Sequence, residues 1–126
     1  MFKDTKAFSG FAVDDLDRAR EFYGETLGLE TTVEDTEHGL MALRIAGDRP
    51  VLVYRQPSAT PASYTILNFP VDDIDAAVDE LTRRGVRFER YDGFEQDDKG
   101  ISRAEGGPPI AWFKDPAGNQ LAVLQA

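Results

Sequence analysis

Few residues in this chain have the type and spacing to do chemistry. There is one histidine, His38, in the run Thr36-Glu37-His38-Gly39, and there is no cysteine. A single imidazole excludes any site that needs two from one chain. The absence of thiols excludes disulfides, thiolate zinc centres and cysteine nucleophiles. His38 falls in a turn-like sequence, a poor setting for a general base. The acidic run containing Glu95, Asp97 and Asp98 lacks the spacing of a twelve-residue calcium loop, so it reads as a solvated loop. No two groups present themselves as an acid and base pair, and no catalytic residue is assigned. What remains is a sparse set of polar and aromatic side chains within apolar runs: Asn68, Gln120, Arg44, Arg55 and Trp112. Apolar walls with a few orienting polar groups are the usual lining of a small-molecule site.

The balance of the chain agrees with such a role. In 126 residues, 14 Lys and Arg face 23 Asp and Glu, a formal net charge of −9. That charge argues against a nucleic-acid partner, which would need basic surface to displace counterions. With 41% hydrophobic and 29% charged residues, the composition is that of a folded globule. No apolar run approaches membrane-spanning length and the first residues lack a signal-peptide core, so a cytoplasmic location is expected.

The elements that must position these residues come in two copies. Val13-Asp14-Asp15-Leu16-Asp17-Arg18-Ala19 recurs 58 positions later as Val71-Asp72-Asp73-Ile74-Asp75-Ala76-Ala77. Leu52-Val53-Tyr54-Arg55-Gln56 lines up with Leu121-Ala122-Val123-Leu124-Gln125 at an offset of 69, which puts 11 extra residues in the stretch 91–107. Each copy begins with a β-like run and passes to helical periodicity after Asp15 or Asp73, carboxylates suited to capping a helix. Leu16, Ala19, Phe22, Tyr23 and Leu27 make one helical stripe, and Ile74, Ala77, Val78 and Leu81 the other. Short strands then follow at 29–33, 40–45 and 51–55, and at 86–90, 110–113 and 120–124. Asp115-Pro116-Ala117-Gly118 marks a tight turn. The chain thus reads as one α+β domain of two βαβββ modules, 1–56 and 64–126, joined by a linker at 57–63. Two four-stranded sheets side by side make a curved, incomplete mixed barrel with helices outside and a concave pocket within. Homodimerisation, with or without exchange of modules, would cover the rest.

At this point the sequence resembles the vicinal oxygen chelate superfamily, which includes glyoxalase I, bleomycin-resistance proteins, fosfomycin-resistance enzymes and extradiol dioxygenases. The residues that carry the resemblance are Val13-Asp14-Asp15-Leu16, Phe22-Tyr23, Leu27-Gly28-Leu29, Val71-Asp72-Asp73-Ile74, Arg84-Gly85-Val86 and Phe113-Lys114-Asp115-Pro116-Ala117-Gly118-Asn119. The resemblance implies the paired-module fold but no single activity. In enzymes of the superfamily a divalent metal is held by His on a module's first strand and Glu or His on its last. The corresponding positions here are Phe8, Ile66, Ala122 and, by the repeat alignment, Val53. None has a lone pair to give to a metal, so neither a metal nor another cofactor is expected.

With Phe8 and Ile66 inward, alternation brings Gly10 and Asn68 with them, and on the last strands the same rule turns Val53, Arg55, Gln120 and Ala122 inward. The expected pocket lining is therefore Phe8, Gly10, Arg44, Val53, Arg55, Ile66, Asn68, Trp112, Gln120 and Ala122. Phe94, Ile101 and Arg103, in the inserted stretch, are expected in a lid. The resemblance to bleomycin-resistance proteins implies a metal-free protein that binds an apolar or aromatic small molecule, for resistance or sequestration. The acidic surface suits a cationic ligand. Two alternatives stand beside this. One is a superfamily enzyme (lyase, isomerase or dioxygenase) with unusual metal ligands or none, and the other is a dimeric interaction protein with no ligand.

Overall fold

A computed structural model describes residues 1–103 and 106–126. Residues 104 and 105, which belong to the inserted stretch 91–107, lie outside the described residues. The chain divides into two compact units, Met1–Pro61 and Ala62–Ala126. The division falls inside the expected linker. Ala62 already belongs to the second unit, because its N–H donates to Asn119 Oδ1 (2.9 Å) and its carbonyl accepts from the Gln120 N–H. The fold is α+β, built on two mixed sheets and few helices, and neither sheet closes on itself among the described residues.

In the first unit the elements are β1 (Gly10–Val13), α1 (Leu16–Arg20), β2 (Glu30–Asp35), β3 (Leu40–Arg44) and β4 (Val51–Arg55). The sheet order is β1-β4-β3-β2, with β1 and β4 parallel and the other pairs antiparallel. Asp15 caps α1 as expected, its carboxylate accepting from the Arg18 N–H. The helix does not run on as a regular α-helix to Leu27. From Glu21 to Thr26 it widens into π-helical turns, where the Leu27 N–H donates to the Phe22 carbonyl five residues back. The extra residue per turn lets the consecutive rings of Phe22 and Tyr23 both serve the apolar side. They meet edge to face at 5.2 Å, and Tyr23 also packs on Phe11 at 5.6 Å. Phe11, Met41, Leu43, Val51 and Val53 are buried around it.

In the second unit β5 (Thr65–Val71) is followed by α2 (Ile74–Arg83), β6 (Ile110–Lys114) and β7 (Gln120–Gln125). The order is β5-β7-β6, with β5 and β7 parallel. The strand expected at 86–90 is reduced to a bridge between Phe88 and Phe113, with the Glu89 N–H donating to the Trp112 carbonyl. That remnant lies beside β6, in the place β2 takes in the first unit. Pairing cannot spread because the chain leaves at once into the inserted stretch. Asp73 caps α2, and Gln125 Oε1 accepts from the Ile74 N–H, which identifies the face of β7 that the helix covers. Leu121, Val123, Ala111 and Phe113 are buried on that face.

One glycine is dictated by a close approach. Gly39, in the β2–β3 turn, has φ +68°, and its carbonyl accepts from the Arg55 N–H at 2.8 Å. A Cβ there would stand 2.8 Å from the Arg55 Cβ. Gly39→Ala is therefore expected to cost about 2 kcal/mol, from left-handed backbone strain and displacement of β4. A urea midpoint equal to that of the parent chain would show that the turn is less constrained than its geometry states.

Candidate functional site

Each sheet has one face under its helix and one face away from it, and alternation assigns the residues. In the first unit Phe11 pairs with Val53, which in turn pairs with Met41. All three therefore share the helix face. Gly10, Ala12, Leu52, Tyr54, Ala42 and Arg44 stand on the opposite face, open in the sense that the helix does not cover it. Two expectations fall here. Val53 does not look away from the helix, being fully buried beneath it, and Arg55 follows it to the helix side. There Arg55 lines a groove of about 420 Å³ with Asp14, Asp15, Asp17 and Arg20.

The cause is a phase error of one residue. In the structure Gly10 pairs with Leu52 and Asn68 pairs with Ala122. The first strands match at an offset of 58, so Leu52 corresponds to Ala122 and the last strands match at 70 rather than 69. In a strand, one position exchanges the two faces completely. The corrected partner of Ala122 is Leu52, itself a hydrocarbon.

The other expected lining residues separate by location. Phe8 precedes β1 and is 64% exposed, and Arg44 sits on the open face in a 3.7 Å ion pair with Glu34. In the second unit Asn68, Trp112, Gln120 and Ala122 share the open face, since Trp112 pairs with Ala122 and Phe113 turns to the helix side. A register shift between Thr65 and Leu67 lets Thr65 pair with Gln120 and Leu67 with Leu121. Ile66 falls in the irregularity between them with no cross-strand partner in the register, so the expected alternation from Ile66 to Asn68 is interrupted there.

This second open face gathers three aromatic rings and a chain of polar side chains. Trp112 is half-buried. The ring of Tyr91 stands against it edge-on at 5.7 Å, and that of Phe94 tilts over it at 5.1 Å. Beside the rings runs a short relay. Tyr91 Oη donates to Gln120 Oε1 at 2.6 Å, and Gln120 Nε2 donates to Thr65 Oγ1 at 3.1 Å. Burial, followed by the nearby Glu89 carboxylate, pushes the Tyr91 hydroxyl pKa up, so it remains a neutral donor at physiological pH. An aromatic wall carrying a fixed amide and hydroxyl can stack a planar group and hydrogen-bond its edge. Tyr91 was not among the expected residues. Its side chain is placed by a contact 29 positions away, which no local periodicity reports.

The lid expectation is corrected in part. Ile101 is 1% exposed and core, and Ser102 bridges to Ile110. Arg103 Nη2 is bonded to both Asp75 carboxylate oxygens (2.8 and 2.9 Å) on α2, while Lys99 pairs with Asp79 and Asp75. Those two basic residues strap the inserted stretch to the helix side. Phe94 alone of the three reaches the open face, 54% exposed. The hydrogen bond and charge of Arg103, with Lys99 adding to them, lower the Asp75 pKa. A depressed carboxylate pKa contributes stability above its ordinary value near 4 and loses it as pH falls through the folded value. Amide exchange across 95–103, corrected for intrinsic rates, should therefore accelerate below about pH 4, and also in roughly 1 M salt. The Glu80 cluster with Arg83 and Arg84 should persist further, because those bonds lower its pKa to about 2. Exchange at 95–103 that ignores both acid and salt would refute the ionic strap.

Does this site fit the divalent ion that the resemblance implies? The donor set does not. Phe8, Ile66, Ala122 and Leu52 present only hydrocarbon, and among the described residues no three His, Asp or Glu side chains gather around a point. His38 is exposed on the β2–β3 turn, with Nδ1 2.7 Å from Asp35 Oδ2.

Two α+β units of common topology, each a sheet with its helix on one face, define a protein of the paired βαβββ class. The chain belongs to the Glyoxalase/Bleomycin resistance protein/Dioxygenase superfamily, whose family model matches residues 8–123. Similar solved structures include a member of that superfamily from Sphaerobacter thermophilus (24% identity, 95% of this chain and 97% of that one, TM-score 0.71). TnmS3, an antibiotic-binding protein from a Streptomyces species, is 26% identical over 97% of each chain, with TM-score 0.68. A lactoylglutathione lyase from Agrobacterium tumefaciens is 26% identical over 98% of this chain and 96% of that one, with TM-score 0.63. No curated protein sequence matches the chain. No helix among the described residues is long and apolar enough to cross a membrane.

Proposed function

We propose that this protein binds a planar, apolar or aromatic small molecule without the help of a metal ion, serving sequestration or resistance rather than chemistry. The observation that carries the reading is the Trp112–Tyr91–Phe94 wall with the Gln120 amide fixed beside it. The likeness to an antibiotic-binding protein supports it, as do the hydrocarbons where metal-binding relatives need donors. The formal charge of −9 favours a cationic ligand through long-range attraction. Trp112 is the chain's one tryptophan, so its emission reports on this face directly. Titration of neutral and cationic polycyclic aromatics should quench it saturably, with matching heats by calorimetry. Failure of every compound to bind would end the proposal.

The likeness to a lactoylglutathione lyase keeps an enzymatic reading in view. Elemental analysis of the purified protein decides between them, since one transition metal per chain would favour the enzyme. A homodimer belongs to the same proposal. Sedimentation equilibrium returning the 14.0 kDa monomer mass would remove it.

A further inference from the structure

Within the inserted stretch one half-buried side chain holds three backbone groups together. Gln96 Oε1 accepts from the Tyr91 N–H at 2.9 Å, and Nε2 donates to the carbonyls of Glu89 (2.9 Å) and Gly100 (2.8 Å). These bonds use both amide hydrogens and one acceptor position, so the side chain is nearly saturated. Their partners are telling. Glu89 is tied to β6 through the Trp112 carbonyl before the loop leaves, and Gly100 precedes the buried Ile101. Between them lie Tyr91 and Phe94, the two rings set against Trp112. Arg90 adds bonds to the carbonyls of Asp97 (2.5 Å) and Asp98 (2.6 Å) from outside. The Asp97 carboxylate also accepts from the Lys99 and Ile101 N–H groups, both at 2.9 Å. The loop thus lacks regular structure yet is shaped by side-chain bonds, and among these the Gln96 amide is the one that joins the backbone at Tyr91 to Gly100.

We propose that Gln96 is the positioning residue of the aromatic face: it touches no ligand, and sets affinity by holding Tyr91 and Phe94 against the Trp112 indole. The proposal rests on the ligand reading above for its effect on binding, but its physical core stands apart from it. Without the amide the loop ends separate, Phe94 leaves the indole and Trp112 becomes open to solvent.

Two measurements keep those parts distinct. Acrylamide quenching of Trp112 needs no ligand. Gln96→Ala should raise the quenching constant about twofold and red-shift the emission, while cooperative unfolding is retained. Binding uses proflavine, a planar aromatic cation, and the variant should lose about tenfold in affinity. If the parent chain ignores proflavine, the ligand reading fails for planar cations, while the quenching result still decides the role of Gln96. Quenching unchanged in a folded Gln96→Ala protein overturns the proposal. Should that variant not fold, Gln96→Glu serves instead. Its carboxylate keeps the acceptor for Tyr91 but loses both donors, and protonation near its ordinary pKa returns one. Quenching in Gln96→Glu should then fall towards the parent value as pH drops from about 7 to 4, against a flat parent profile. A purely architectural role predicts lowered thermal stability with no such pH dependence, and that result would equally overturn the proposal.

Discussion

Trp112→Ala is expected to weaken binding of a planar aromatic ligand by about 2 kcal/mol, roughly thirtyfold in Kd. The indole offers the largest flat surface on the open face of the second unit, and two further rings border it. Truncation removes that surface and leaves Tyr91 and Phe94 without the ring they lean on. Since Trp112 is half-buried and away from the helix-side core, the fold should survive with a modest loss. Phe94→Ala, on an exposed ring, should cost less, and Phe113→Ala should damage stability instead. Calorimetry with the tightest-binding compound of the panel separates the three. An affinity for Trp112→Ala within twofold of the parent would move the site elsewhere.

The second large effect concerns the turn before β7. Asp115 and Asn119 are 4% and 2% exposed. The Asp115 carboxylate accepts from the Asn119 N–H at 2.8 Å and from Asn119 Nδ2 at 3.0 Å, and this aims Asn119 Oδ1 at the Ala62 N–H. One carboxylate thus shapes the β6–β7 turn and ties the unit's first residue to it. Hydrogen bonds to a charged acceptor contribute about 1.5–3 kcal/mol each, and their loss in a buried place is not recovered from water. Asp115→Ala should therefore destabilise the protein by about 3 kcal/mol and lower Tm by about 10 °C. Asp115→Asn, which keeps one acceptor, should fall between. A change below about 0.5 kcal/mol in Asp115→Ala would mean that the turn forms without its buried acid.

The Asp-Pro-Ala-Gly-Asn run was legible for the same reason that it is stabilising: its signal is local. So were the caps Asp15 and Asp73, the repeat and the membership of the superfamily. Face assignment was less secure, because it depends on phase. At an offset of 69 Leu52 matches Leu121 and Gln56 matches Gln125. At 70 Val53 matches Val123 and both are buried, so composition alone does not choose. Only the pairing with β1 and β5 fixes the answer, and it sent Val53 and Arg55 to the helix side. The π-helical turns after Arg20 escaped notice because a stripe containing adjacent aromatics fits an ordinary helix nearly as well. Tyr91 and Gln96 escaped because an aperiodic insertion is specified by individual hydrogen bonds, which no spacing rule encodes.

The inserted stretch leaves and rejoins the sheet along one strand. Glu89 is bonded to Trp112 and Ser102 to Ile110, two residues apart on β6. Between those two points Ile101 is the side chain that enters the core and Lys99 reaches α2, so the stretch before them, 90–98, carries most of the loop's sequence without carrying the sheet. Loops of other lengths grafted in place of 90–98, with Ile101 and its neighbours kept, are expected to leave the β6 ladder intact, so variation in this insertion can proceed without redesign of the sheet beneath it.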